Sequence, residues 1–113
     1  MIELVIFEFL NNQNIGIPVY MEVPENPPKE FYLLQKTGSD ISDRIYKATI
    51  VVQSYAGSLY QAAVNNETIK ELMIDGLIDD PDIASVRLNS DYEFTDTQEK
   101  RYRYQAVFDI THY

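Results

Sequence analysis

The chain has no cysteine and no tryptophan, a single histidine, four glycines, and only 9 basic against 18 acidic side chains in 113 residues. Without cysteine there is no disulfide framework, thiol nucleophile or cysteine-ligated zinc. One histidine excludes a metal site built from several histidines. The net charge of −9 argues against a general binder of nucleic acid or of anionic membranes. Function must therefore be sought in surfaces and assembly.

Apolar residues are plentiful, at 45% of the chain, and aromatics make up 12%. This composition is typical of a globular protein, and the length fits one domain spanning residues 1–113. The nine tyrosines are amphipathic and suit surfaces that a partner covers.

The N-terminal segment MIELVIFEFL is apolar but is interrupted by Glu3 and Glu8. It is shorter than the roughly 20 residues of a membrane span, and it lacks the basic start and cleavage site of a signal peptide. We therefore expect neither, and no membrane partner. Apolar residues at helical spacing predict a short amphipathic helix ended by Asn11, Asn12 and Gly16, with a strand as the alternative: Ile2, Val5, Ile6, Phe9 and Leu10.

Periodicity and breakers divide the rest of the chain. Extended runs are predicted at Val19–Val23, Phe31–Thr37, Arg44–Ser54, Ala84–Phe94 and Arg101–Tyr113, a proline loop at Pro24–Lys29, a turn region at Gly38–Asp43 and a helix at Ser58–Ile78. The helix has one apolar stripe and is stopped by Pro81: Leu59, Ala62, Ala63, Ile69, Leu72, Met73 and Leu77. The Arg44–Ser54 strand, with its continuous apolar run, is expected to be buried on both faces. The order α-β-β-β-α-β-β predicts an α+β fold, a largely antiparallel sheet packed with a short N-terminal helix and one longer central helix.

The last two strands are predicted to form a long hairpin in which Phe94 lies opposite Lys100. This register sets Tyr92 opposite Tyr102 and Val86 opposite Phe108 on one face. On the other face it pairs Asp91 with Arg103 and Glu93 with Arg101, contacts that stabilise a hairpin. The basic and aromatic run Lys100–Tyr104 could stack bases and contact phosphates. We favour the cross-strand pairing instead, because it neutralises both arginines in an acidic chain.

Reactive chemistry has little support in the sequence. His112 is the only candidate for a catalytic base, and a histidine in a terminal strand is more typical of an edge position. The acidic run Asp79–Asp82 lacks the glycine and the closing glutamate of a calcium loop, so a solvated helix end is the better interpretation. No glycine-rich phosphate loop is present. We therefore predict no enzyme activity, no metal and no cofactor.

Three long segments carry a resemblance to a known family: Pro18–Asp40, Ala48–Ala63 and Ser85–Tyr113. Together with the N-terminal helix, they resemble the small tail terminator (tail completion) proteins of long-tailed phages and prophages, often labelled minor capsid or minor structural proteins. The resemblance implies a structural protein that forms a ring, usually a hexamer, capping the finished tail tube. It also implies a tail-tube partner, a neck or head-completion partner, and DNA only passing through an acidic lumen. Such a protein is expected in the host cytoplasm during assembly and then in the virion.

Two exposed loops are the candidate assembly surfaces, because a compact sheet leaves its connections accessible. The first is the proline loop: Pro24, Glu25, Asn26, Pro27, Pro28 and Lys29. The second is the hairpin tip: Thr95, Asp96, Thr97, Gln98, Glu99, Lys100, Arg101 and Tyr102. The alternatives are a neck or head-completion adaptor, a tail-tube protein, or a small intracellular ligand-binding or regulatory module with a pocket between helix and sheet.

Overall fold

The structure, a computed structural model, describes residues 1–99 and 101–113. In this part of the chain the elements follow in the order α1 (Ile2–Asn11), β1 (Val19–Tyr20), β2 (Phe31–Ser42), β3 (Ile45–Ala56), α2 (Leu59–Glu71), β4 (Ile83–Glu93) and β5 (Tyr102–His112). The strands form one sheet with the order β1-β2-β3-β5-β4. β1 is parallel to β2, and the other neighbouring strands are antiparallel. The predicted α+β class and element order are confirmed.

Both helices pack on the same face of the sheet, which we call the helix face. Alternate residues of β2, β3 and β5 meet the apolar stripes of α1 and α2 there, as the period of two along a strand requires. The cluster includes Ile6 and Leu10 of α1, Ile69 and Met73 of α2, and the strand residues Leu34, Ile50, Val52, Phe108 and Ile110. We call the other side of the sheet the open face; its buried Phe31, Leu33 and Tyr55 form a separate cluster.

The two predicted helices are confirmed, with differences in α2. Ser58 caps α2, its Oγ accepting a hydrogen bond from Gln61 N at 3.2 Å. After Glu71 the chain stays helical but changes its winding, first to a π-helical turn at Leu72–Gly76 and then to a 3-10 turn at Leu77–Asp79. A methyl group on Gly76 would lie 2.9 Å from Phe9 Cζ, so glycine lets α1 approach this turn closely.

The predicted apolar stripe of the central helix is only partly right. Ala62, Ile69, Met73 and Leu77 are buried, but Leu59 lies in the first turn and is exposed. Two polar residues, Asn65 and Asn66, are buried instead. Asn65 bonds to Glu30 of the loop before β2 and to Gln61 of α2, and Asn66 Nδ2 donates to Asp91 of β4, while Asn66 Oδ1 has no partner among the described residues. An apolar pattern does not register such contacts.

The prediction of a turn region at Gly38–Asp43 is wrong. β2 continues to Ser42, and the reversal takes place at Asp43 and Arg44 alone, with φ of 51° and 67°. Positive φ at both central residues is the geometry of a two-residue hairpin turn whose twist matches the flanking strands. Gly38 lies inside the strand, next to a bulge at Thr37. The predicted burial of β3 on both faces is confirmed for most of its second half.

The predicted register of the β4–β5 hairpin is also wrong. Leu88 pairs with Phe108, and Tyr92 pairs with Gln105, so β4 residues from Ser85 onward face partners two or three places beyond the expected ones. Bulges at Ala84 and Asn89 shift the register along the strand, a feature that a uniform alternating pattern does not contain. The predicted Phe94–Lys100 pair lies outside the described residues; Phe94 N donates to Arg103 O instead.

Candidate assembly surfaces

The proline loop joins β1 to β2 and is largely exposed. Glu25, Asn26, Pro28 and Lys29 are exposed, whereas Pro24 and Pro27 are half-buried. Its three prolines fix φ and lack a backbone N–H, so this segment is unsuited to a helix interior or a central strand. Just beyond it, Glu30 accepts a hydrogen bond from Asn65 Nδ2 at 2.9 Å, so the end of the loop is tied to α2.

The hairpin tip is a closed turn built on Asp96. Its carboxylate accepts the backbone N–H groups of Gln98 and Glu99 at 3.0 and 3.3 Å. Its backbone bridges to Arg101 in both directions. A side chain that caps its own turn in this way stabilises the turn at Asp96. Thr97, Gln98 and Glu99 are exposed, Thr95, Asp96 and Tyr102 are half-buried, and Lys100 lies outside the described residues.

The structure brings the two predicted loops to the same end of the sheet. The outermost cross-strand row there runs from Phe31 through Tyr55 and Arg103 to Phe94. The proline loop precedes the first of these residues, and the hairpin tip lies between the last two. We call this the loop end. The Asp43–Arg44 turn lies at the other end, which we call the turn end.

The two arginines of the basic run do not form the predicted pairs. Arg103 donates from Nη1 to Tyr55 Oη at 2.8 Å and from Nε to Phe94 O, and its guanidinium lies 4.4 Å from the centre of the Phe94 ring. Arg101 pairs with Glu99 at 3.3 Å rather than with Glu93. The bulge at Asn89 moves Asp91 to the helix face, while Arg103 lies on the open face, so the pair cannot form.

Arg103 belongs to a polar and aromatic network across the open face. Phe31 stacks on Tyr55 with ring centres 4.4 Å apart. Gln53 accepts from Tyr55 Oη at 3.0 Å and donates to Gln105 at 2.8 Å, and Gln105 donates to Tyr92. These side chains hydrogen-bond to one another on a face that no helix covers in the part of the chain that the structure describes. In the sequence, only the density of tyrosines hints at this network.

A second polar cluster lies on the helix face under α2 and was not predicted. Asp91 Oδ2 accepts from Asn66 Nδ2 at 3.0 Å and from Lys70 Nζ at 2.9 Å, and Lys70 also contacts Glu67 at 2.8 Å. The hydrogen bonds to Glu67 and Asp91 raise the pKa of Lys70, because both stabilise its charged form. The cluster is an anchor between helix and sheet.

Tyr32 makes a related anchor at the base of β2. It is fully buried, and its hydroxyl donates to Asn65 O at 2.8 Å. Burial raises the pKa of Tyr32 well above its usual range, with a smaller contribution from the nearby Glu30 carboxylate. A phenol kept neutral in this way is a structural group.

A groove of about 720 Å³ lies on the open face toward the turn end. It is lined by residues of four strands, among them Asp40, Lys47, Thr49, Arg87 and Asp109. This groove lies on the face away from the helices, whereas a ligand-binding module was expected to have its pocket between helix and sheet. Mixed charges and an open shape fit a contact surface better than an enclosed small-molecule site.

His112 and the acidic run Asp79–Asp82 lie near each other at the start of β4, where His112 pairs with Ile83 and Tyr113 N donates to Asp82 O. The His112 ring stacks on Tyr46 with ring centres 5.4 Å apart, near the turn end. Asp80 accepts the backbone N–H of Asp82 at 2.9 Å, which closes the turn into β4. Among the described residues no group of three metal-ligating side chains is clustered, and no helix of this part is both long and apolar enough to cross a membrane.

Comparison with known proteins gave no match, either to the models of protein families or to curated protein sequences.

Proposed function

We propose that this chain is a structural phage or prophage tail terminator, which forms a ring, usually a hexamer, that caps the tail tube and joins it to the neck. It works without catalytic residues or cofactors, in the host cytoplasm during assembly and then in the virion. Its partners are further copies of itself, the tail-tube protein and a neck or head-completion protein. DNA only passes through the acidic lumen.

The observation that carries the proposal is the grouping of both candidate loops at the loop end of the sheet. A capping ring needs one face that resembles the growing tube end and another that does not. A subunit with the rigid proline loop and the closed Asp96 turn at one end, and a bare two-residue turn at the other, has two such unlike ends.

The network on the open face, in which Tyr92 is exposed and Arg103 and Gln105 are half-buried, supports an assembly role in the same way. Tyrosine, arginine and glutamine side chains that are already fixed by one another lose little conformational freedom when a partner covers them. Arg103 is held in this network by its hydrogen bond to Tyr55 and by its contact with the Phe94 ring.

The test replaces residues 25–28 with a Gly/Ser linker of the same length. We expect the variant to fold and to form rings, because the segment makes few contacts with the core, but to leave tails uncapped. Tail length and head attachment would be measured by electron microscopy after complementation of a phage that lacks the gene.

A matched control carries Glu71→Gln and Asp75→Asn on the exposed side of the central helical region, and it should cap tails normally. Normal-length, head-joined tails from the loop variant would reject the loop assignment. Unlimited polymerisation of the wild-type protein alone would reject a terminator and favour a tail-tube protein.

A further inference from the structure

We propose that the outer edge of β2 in one copy of this chain pairs with the outer edge of β4 in the next copy, in an antiparallel register that sets Lys36 opposite Asp91 and Asp40 opposite Arg87. The inference deepens the proposed ring and rests on it for the number of copies. It names the interface through which one subunit recognises the next.

Both edges are available in the described part of the chain. β1 pairs only with Tyr32 and Leu33, so β2 from Leu34 to Ser42 has no further strand beside it, and β4 is the last strand on the other side. An open groove lined by Glu3, Met21 and residues 34–37 runs beside the β2 edge. Edge strands of this length present rows of backbone donors and acceptors that can pair with another chain.

The strand directions suit a head-to-tail contact. β2 runs opposite to β3, β3 opposite to β5, and β5 opposite to β4, so β4 and β2 point in opposite directions within one sheet. A second copy placed beyond β4 in the same orientation therefore meets it with an antiparallel β2. Each copy uses two different surfaces, the kind of contact that closes into rings.

The register is fixed by charge and by face. Lys36 lies on the helix face, where its Nζ is 3.6 Å from Glu3, and Asp91 lies on the same face. Asp40 and Arg87 both line the groove of the open face. One alignment therefore joins two opposite-charge pairs, each on its own face. Arg87 can reach outward, because its side chain is 81% exposed.

The bulges and apolar side chains agree with the same alignment. β2 has its extra residue at Thr37 and β4 has one at Asn89. The alignment brings these two bulges within one residue of each other, so the faces stay matched on both sides of them. Ile41, which is 55% exposed, then lies opposite Val86 on the helix face.

Symmetric pairing of either edge with itself does not have this complementarity. Two copies of β4 could set Arg87 against Asp91, but the bulge at Asn89 places these residues on opposite faces. In β2 the bulge at Thr37 separates Lys36 from Asp40 in the same way. The second copy must therefore offer the other edge.

The experiment uses charge reversal in the full chain. Asp40→Arg alone and Arg87→Asp alone should each weaken self-association about tenfold or more, and the double variant should recover most of the loss. Association would be measured by sedimentation velocity and native mass spectrometry over a concentration series. Thermal unfolding checks that each variant folds, and the milder Asp40→Asn and Arg87→Gln changes replace any that does not.

Controls change the charge equally without touching an edge strand or its cross-strand neighbours: Lys29→Asp in the exposed proline loop and Glu71→Arg on the helix. An effect of Arg87→Asp without any effect of Asp40→Arg would indicate β4–β4 pairing and overturn the proposal. Single variants that assemble like the wild type would also overturn edge pairing, although the proposed ring would not be rejected by that result. A wild-type protein that stays monomeric at every concentration also overturns edge pairing. Rings that respond as expected but fail to cap tail tubes would instead reject only the terminator function.

Discussion

The two halves of β2 differ sharply although they belong to one unbroken strand. Phe31–Leu34 is buried on both faces, with α1 and α2 packed on one side and stacked aromatics on the other. Gln35–Ser42 is exposed along its whole length. The same backbone pairing with β3 runs through both halves. Hydrogen bonding therefore extends a strand, but burial depends on what lies across the sheet, and the uncovered half is the part open to a partner.

The largest effect that tests this contrast comes from truncating apolar residues in each half. Leu34→Ala in the buried half should lower the free energy of unfolding by about 2–5 kcal/mol, because it leaves a cavity in the core. Ile41→Ala in the exposed half should change it by less than about 0.5 kcal/mol. Chemical denaturation of both variants measures the difference. Similar losses at the two sites would show that the exposed half is covered in the isolated protein.

A smaller effect is expected from pH. Because burial raises the pKa of Tyr32 above the ordinary tyrosine value of about 10, its contribution to stability is fully present below about pH 10 and is lost as the pH rises further. Lys70, whose pKa is also raised, acts in the same direction. At pH 11, ionisation of the Tyr32 phenol in the unfolded chain should lower the free energy of unfolding by about 1.4 kcal/mol. The Tyr32→Phe variant should not show this loss. Unfolding midpoints from pH 8 to 11 would show this loss, with Tyr46→Phe, at an exposed position of β3, as the control.

The smallest effect concerns the anchor between α2 and β4. A double-mutant cycle on Asp91 and Lys70 should give a coupling of about 1 kcal/mol, since the two groups are in contact and partly buried. The same cycle on Asp91 and Arg103 should give none, because the bulge at Asn89 places them on opposite faces. Coupling in the second cycle but not in the first would restore the register that uniform alternation predicts.

Features that depend on a few neighbouring residues were predicted correctly, and features that depend on pairing between strands were not. The α1 stripe and the buried β3 run were predicted correctly, because period and apolar content act within a few residues. The tight turn at Asp43–Arg44 was not predicted, because neither residue is a glycine and Gly38 favoured a turn earlier in the chain. The bulge at Asn89 was missed as well, and it moved Asp91 away from Arg103 and toward Lys70.

The candidate loops show the same division. Proline content was enough to predict an exposed, irregular segment at residues 24–29, and the polar run around Asp96 was enough to predict a turn. Their common position at one end of the sheet follows from the strand order β1-β2-β3-β5-β4, which no local pattern contains.

By itself, the sequence determined the two helices, the approximate positions of the strands, the α+β class, and an acidic composition poor in reactive side chains, because these depend on neighbouring residues and on composition. The tertiary structure alone decided the strand order, the bulges at Thr37 and Asn89, and which half of β2 stays uncovered. These features depend on contacts between residues far apart in the chain, where packing and backbone pairing choose among registers that the local pattern leaves nearly equal in energy.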